Sequence, residues 1–174
     1  MEPDELAKAA ERLSSIVGDR CLLIGGLAVS AWGHVRATED IDFVTSLEPG
    51  AITRLLSDAG IRAEIRRGDT FEGDLPWVLH GSVGAVPFQI IPPLVPIAWE
   101  KAVRVTLPSG TDLRIVDLAD LIRLKLRAAG TRDLWDVAVL LRQHAELRES
   151  ARGWARELGC AKELDAWLED PRLG

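Results

Sequence analysis

The chain has 174 residues, 47% of them apolar and 28% charged, enough for one packed core and unlike a disordered chain. Its 21 basic and 27 acidic residues give a net charge of −6, which excludes a broadly basic nucleic-acid coat protein but not a local basic groove. Cys21 and Cys160 form no CxxC or Cys/His spacing, so neither a zinc site nor a disulfide framework is expected, and both thiols read as reduced.

The opening stretch MEPDELAKAAERL is acidic and helical in pattern, unlike a signal peptide. Leu6, Ala9, Ala10, Leu13, Ile16 and Val17 recur at helical spacing over residues 4–17, and Gly18 stops the helix. RCLLIGG then reads as a short buried strand ending on the glycine pair Gly25-Gly26. A short helix starts at the pair and ends at Gly33, HVRATE is a loop, and DIDFV alternates as a strand does. Residues 49–59 predict a helix closed by Gly60. IRAEIRR, LPWVLHG and AVPFQII each have the length of a strand, and VRVTLPSGTDLRIV reads as a hairpin turning at Pro108-Ser109-Gly110.

From Asp117 onward the pattern is nearly all helical. Asp117 is the expected N-cap, with Asp120 three residues on in the manner of a capping box. That helix ends at Gly130, the next begins at Thr131, and one or two more break near Gly159 and Pro171. The longest apolar region, near residues 83–99, is interrupted by Pro87, Pro92, Pro93 and Pro96 and is too short to span a membrane. The expectation is a soluble, cytoplasmic α+β protein treated as one unit over 1–174. A mixed sheet in 20–116 is flanked by helices and followed by a helical part in 117–174.

Two aspartates inside an apolar strand need compensation, because burying an unpartnered carboxylate costs several kcal/mol. Residues i and i+2 of a strand share a face, so Asp40 and Asp42 project together while Ile41 turns into the core. Oxygen ligands with an open coordination sphere suit Mg2+, which keeps waters and substrate phosphates as its other ligands. Gly25-Gly26, where a strand enters a helix, lets backbone approach a ligand, and free N–H groups at a helix start favour a phosphate. A glycine pair alone is most often a tight turn, and a lone DxD often caps a loop. In the order strand, glycine pair, short helix, DxD strand, they make a phosphoryl- or nucleotidyl-transfer site.

The stretch GGLAVSAWGHVRATEDIDFV resembles the nucleotidyltransferase superfamily with the DNA polymerase β-like fold, and more closely its small bacterial AbiEii-type toxin branch. Arg36, Ala37, Thr38, Asp40, Ile41 and Asp42 match the branch's RATxDID stretch. In the tail, Asp120, Leu121, Ile122, Leu124, Lys125, Arg132, Asp133, Asp136 and Val137 match its second motif, and the likeness covers roughly 20–142. The resemblance implies metal-dependent transfer of a nucleoside monophosphate from NTP to a hydroxyl of an RNA end, a protein or a small molecule. It implies Asp40 and Asp42 as catalytic metal ligands for Mg2+ or Mn2+, and Gly25, Gly26, Arg36, Thr38 and Lys125 as nucleotide contacts. It also implies a role as the toxin of a toxin–antitoxin pair, with RNA or a cognate antitoxin as partners.

The sequence departs from this pattern at the strand expected to supply a third carboxylate. Gln89 stands there, a neutral amide that can offer an oxygen to a cation but is a poor base. Leu27 replaces the family's serine, and Glu39 or Glu100 are weak substitutes for the missing acid. Two readings therefore stand: an enzyme with two aspartates, or a degenerate domain that binds nucleotide or a protein without turnover. An acidic-cluster nuclease would want more carboxylates.

Other residues have competing readings. By pattern alone Lys125 is a solvated lysine; the resemblance makes it a phosphate contact. Asp133 suits the first turn of any helix, and Asp136 could pair with Arg132 or with Lys125. Arg36 could grip a triphosphate or neutralise Glu39 or the aspartate pair. His34 reads as a loop residue, and the six tryptophans mostly as packing residues. Arg62, Arg66 and Arg67 make a basic strand edge that could contact RNA or guard against aggregation.

Overall fold

The computed structural model describes residues 3–67, 75–107 and 110–173. In chain order the elements are α1 (Pro3–Val17), β1 (Cys21–Ile24), α2 (Gly25–Ala31), β2 (Ile41–Thr45) and α3 (Pro49–Asp58). They continue with β3 (Ala63–Arg66), β4 (Val78–Val83), β5 (Val86–Ile91), β6 (Val103–Thr106) and β7 (Asp112–Ile115). The helices α4 (Leu118–Ala128), α5 (Thr131–Gln143), α6 (Arg148–Leu158) and α7 (Ala161–Leu168) complete the chain. Among the described residues no helix is long and apolar enough to cross a membrane.

The strands form one mixed sheet in the order β3-β4-β5-β2-β1-β7-β6. The pairs β2–β5 and β1–β7 are parallel, and the others antiparallel. Strand β1 is buried at every residue, as expected of a central strand covered on both faces. Leu22, Leu23, Ile41, Phe43 and Ile90 of the central strands join Leu121 and Ile122 of α4, Val137 and Leu140 of α5, and Leu164 of α7 in one apolar core. The hairpin is present as the antiparallel pair β6–β7, while Pro108 and Ser109 of its turn lie outside the described residues.

Three local expectations need correction. The DxD strand begins at Ile41, so Asp40 lies just before it rather than within it. The cause is the partner strand: β1 pairs with β2 only as far as Ile24↔Asp42, because Gly25 turns the chain into α2. Asp117 does cap α4, accepting from the Ala119 N–H at 3.0 Å, but Asp120 does not reach back to it. Asp120 is buried and accepts instead from the Ala98 N–H at 2.7 Å, tying the β5–β6 connection to the helix. Helix α4 ends one residue early, on Ala129 in the left-handed region at φ 50°, and Gly130 serves as the N-cap position of α5. All six tryptophans are half-buried, and Trp135 meets Trp167 edge-to-face at 5.2 Å, in keeping with packing roles.

Candidate active site

The glycine pair opens α2, and each glycine is closed over by a side chain of the site. Gly25 has φ 65°, and a Cβ there would overlap the Asp42 carboxylate, standing 2.7 Å from its Cγ. A Cβ on Gly26 would stand 2.7 Å from Thr38 Cβ and 3.2 Å from Arg36 Nη1. Only glycine satisfies both the backbone and the space at position 25.

Asp42 lies between two neighbours in the sheet, Ile24 on β1 and Gln89 on β5. Gln89, at the expected third-carboxylate position, is thus directly in register with it. Asp40 stands beside Asp42 at the strand entrance, with Oδ1 accepting from Thr38 Oγ1 at 2.9 Å. Burial pushes the Asp42 carboxyl up to about 6, and the adjacent Asp40 adds to the rise. Lys125 and Arg36 oppose that rise and Asp133 adds to it, so the groups around Asp42 disfavour its charge on balance.

The helical side of the site is built differently. Lys125 on α4 is 6% exposed, and its Nζ lies 2.7 Å from Asp133 Oδ1 and 2.8 Å from Asp136 Oδ2, both on α5. Asp136 is fully buried and also accepts from Arg36, at 2.8 Å from Nε and 2.9 Å from Nη2. Burial alone would raise the Asp136 carboxyl, but the hydrogen bonds from Arg36 and Lys125 outweigh it and hold the group below the usual range. His34 Nε2 lies 3.6 Å from Asp136 Oδ1 and makes no hydrogen bond. Arg132 donates to the Ala37 carbonyl at 2.8 Å, as does Arg36 Nη1 at 3.2 Å, which pins the loop ahead of β2.

Several expectations change here. Lys125 is not solvated. Arg36 is paired with Asp136, a partner outside its expected set of Glu39 and the aspartate pair. Asp136 takes Lys125 rather than Arg132, and His34 belongs to this buried cluster rather than to a free loop. Sequence reasoning did not find Asp136 as the hub; the signal available was its i, i+3 spacing from Asp133, which puts two acids on one helix face.

A cavity of about 550 Å3 joins the two sides. Gly25, Asp42, Gln89, Lys125 and Asp133 make its polar wall; Ile24, Ile91, Leu94, Leu121 and Leu124 make an apolar one. Glu39 and Glu100 are exposed and do not line it. The basic residues Arg62 and Arg66 lie on the outermost strand β3, separated from β2 by two strands.

Among the described residues no group of three or more His, Cys, Asp or Glu converges as a metal cage. Asp40 and Asp42 offer instead a pair of oxygen donors whose mutual repulsion a cation would relieve. That set fits Mg2+ or Mn2+, which need few carboxylates when water and substrate phosphates complete the shell. Gln89 can add a neutral oxygen.

No protein-family model and no curated protein sequence matches the chain. Solved structures do. The antibiotic-resistance factor ANT(2'')-Ia superposes in solution with a TM-score of 0.64 at 16% identity, over 95% of this chain and 98% of that one. Its crystal structure with adenylyl-2''-tobramycin gives 0.61 at 14%, over 88% and 96%. An antigenic nucleotidyltransferase-like protein from Paracoccidioides brasiliensis gives 0.55 at 19% identity, over 81% and 77%. At these identities the likeness carries the fold and nothing finer: the mixed sheet with its flanking helices is a nucleotidyltransferase fold.

Proposed function

We propose that the chain is a metal-dependent nucleotidyltransferase that moves a nucleoside monophosphate from NTP to a hydroxyl acceptor. The observation that carries this reading is the pair Asp40 and Asp42 at the glycine turn, with the Asp42 carboxyl raised to about 6 by burial and by its neighbour. Bound by these carboxylates, Mg2+ or Mn2+ would neutralise triphosphate charge and polarise the phosphoryl group under attack. The chain's own residues do the rest. Gly25 and Gly26 admit the phosphates to the start of α2, Thr38 orients Asp40, and Arg36 and Lys125 present positive charge to the phosphate oxygens. The acceptor oxygen bonds to the α-phosphorus as the bond to the β-phosphate oxygen breaks. Pyrophosphate leaves and the hydroxyl proton passes to water, since the neutral Gln89 cannot take it.

The AbiEii-type motif resemblance supports an RNA end or a protein as acceptor, and a toxin paired with a cognate antitoxin. The fold shared with ANT(2'')-Ia, whose complex holds adenylyl-2''-tobramycin, supports a small-molecule hydroxyl instead. A second reading, a nucleotide- or protein-binding module without turnover, is favoured by one observation: Gln89 lies beside Asp42 where a third acid is expected.

Pyrophosphate release from each of the four NTPs, with Mg2+ or Mn2+ and with total RNA or tobramycin as acceptor, tests the proposal. Wild type releases pyrophosphate, and Asp40→Asn/Asp42→Asn loses at least about 100-fold, the scale of removing one electrostatic element of a transfer site. A folded wild type that releases none with any NTP or acceptor favours the binding module.

A further inference from the structure

Arg36 and Lys125, the two cations of the proposed phosphate seat, are held by one carboxylate. Arg36 comes from the loop between α2 and β2, Lys125 from α4 and Asp136 from α5, so a single buried acid ties together three segments that meet at the cavity. Both cations reach the same oxygen: Asp136 Oδ2 lies 2.9 Å from Arg36 Nη2 and 2.8 Å from Lys125 Nζ. Given nucleotidyl transfer as read above, we propose that Asp136 is the positioning residue of the phosphate seat, fixing the Arg36 guanidinium over Gly26 and Lys125 Nζ at the cavity wall.

The physical case is one of like charges brought together. Two cations that share one oxygen acceptor repel, and without the acid between them each swings away on a flexible stem. An Arg36 displaced from Gly26 no longer faces a phosphate seated at the start of α2. Asp136 has no exposed surface, so it acts on a ligand only through the cations it holds. Asp133 differs: its side chain is 31% exposed, it lines the cavity, and it holds Lys125 alone. A phosphate oxygen can take the place of Asp133 on Lys125 while Asp136 keeps the amine where it is. The two acids on one lysine thus have separate tasks, one a fixed anchor and the other a replaceable partner.

The test uses inorganic tripolyphosphate in Mg2+ buffer as the probe, titrated calorimetrically into full-length protein, so that no acceptor and no turnover are needed. Asp136→Asn is melted first, and binding is measured below its transition. It is expected to bind tripolyphosphate at least tenfold more weakly than wild type. In an Arg36→Met/Lys125→Met background, the same substitution is expected to cost nothing further, which a general structural role would not give. Should Asp136→Asn not fold, Arg36→Lys keeps the charge but cannot contact both carboxylate oxygens, and it is expected to bind several-fold more weakly. Wild-type affinity in folded Asp136→Asn or in Arg36→Lys, or an equal loss in the Met/Met background, overturns the inference while pyrophosphate release by wild type leaves the proposed function standing. A folded wild type that binds neither tripolyphosphate nor NTP overturns both.

Discussion

Asp40 and Asp42 stand on the sheet side of the cavity, Asp133 and Asp136 on the helix side, and the two pairs differ in who supplies the positive charge. On the helix side the chain supplies it, through Lys125 and Arg36, and the Asp136 carboxyl is held low. On the sheet side the surroundings leave Asp42 with a raised carboxyl. The same residue type is therefore finished in one place and unfinished in the other. A buried acid that the fold completes is architecture; one that the fold leaves incomplete is where an external cation belongs.

The sharpest way to break this contrast is to truncate the finished acid. Asp136→Ala leaves Arg36 and Lys125 facing each other without a counter-charge, at an expected cost of about 3–5 kcal/mol of stability. Urea unfolding near neutral pH measures it, and a variant within about 1 kcal/mol of wild type would mean the cluster is already hydrated and no hub at all.

A smaller effect of opposite sign is expected on the sheet side. Folded Asp42 titrates near 6 rather than the ordinary 3.8, so the folded state holds a proton that the unfolded chain releases. Stability without ligand therefore falls as pH rises from about 4 to about 6 and is flat above. At pH 8 the penalty is complete, up to about 3 kcal/mol for a shift of about two pKa units. Asp42→Asn removes the penalty, so it is expected to unfold at higher urea than wild type at pH 8 and at the same urea at pH 4. For Asp136 the sign reverses, since its stabilisation is present at neutral pH and is lost as acid protonates the held carboxylate. Equal urea midpoints for wild type and Asp42→Asn at pH 8 would remove the contrast between the pairs.

The smallest effect concerns Asp133. Replacing it with asparagine takes one negative charge from beside Lys125 and should tighten tripolyphosphate binding by about 1 kcal/mol, roughly fivefold. Weaker binding would instead make Asp133 part of the anchor.

The sheet and its glycine turn were legible from the chain because both rest on short-range signals. The apolar run of β1, the pair Gly25-Gly26 and the alternation around Ile41 are local, and each element lies within a few residues of its expected place. Asp40 was misplaced because strand length depends on how far a partner runs, and β1 stops where Gly25 turns. The helix end near Gly130 followed the usual preference for glycine in the left-handed region, which here falls to Ala129. The polar cluster was harder to read. An amphipathic pattern places Lys125 on a helix face but cannot say that two acids on the next helix will face it. Arg36 and Asp136 lie 100 residues apart, beyond any periodicity.

The glycine pair carries one more consequence, for how substitutions would be tolerated. The space over Gly25 is filled by the Asp42 carboxylate and that over Gly26 by Thr38 and Arg36. A side chain at either position collides with the protein before any nucleotide arrives. A survey of random substitutions scored for folding alone would therefore reject changes at 25 and 26 as firmly as one scored for turnover. Keeping both glycines is a demand of the packing, and a descendant of this chain that had lost its chemistry would still carry them.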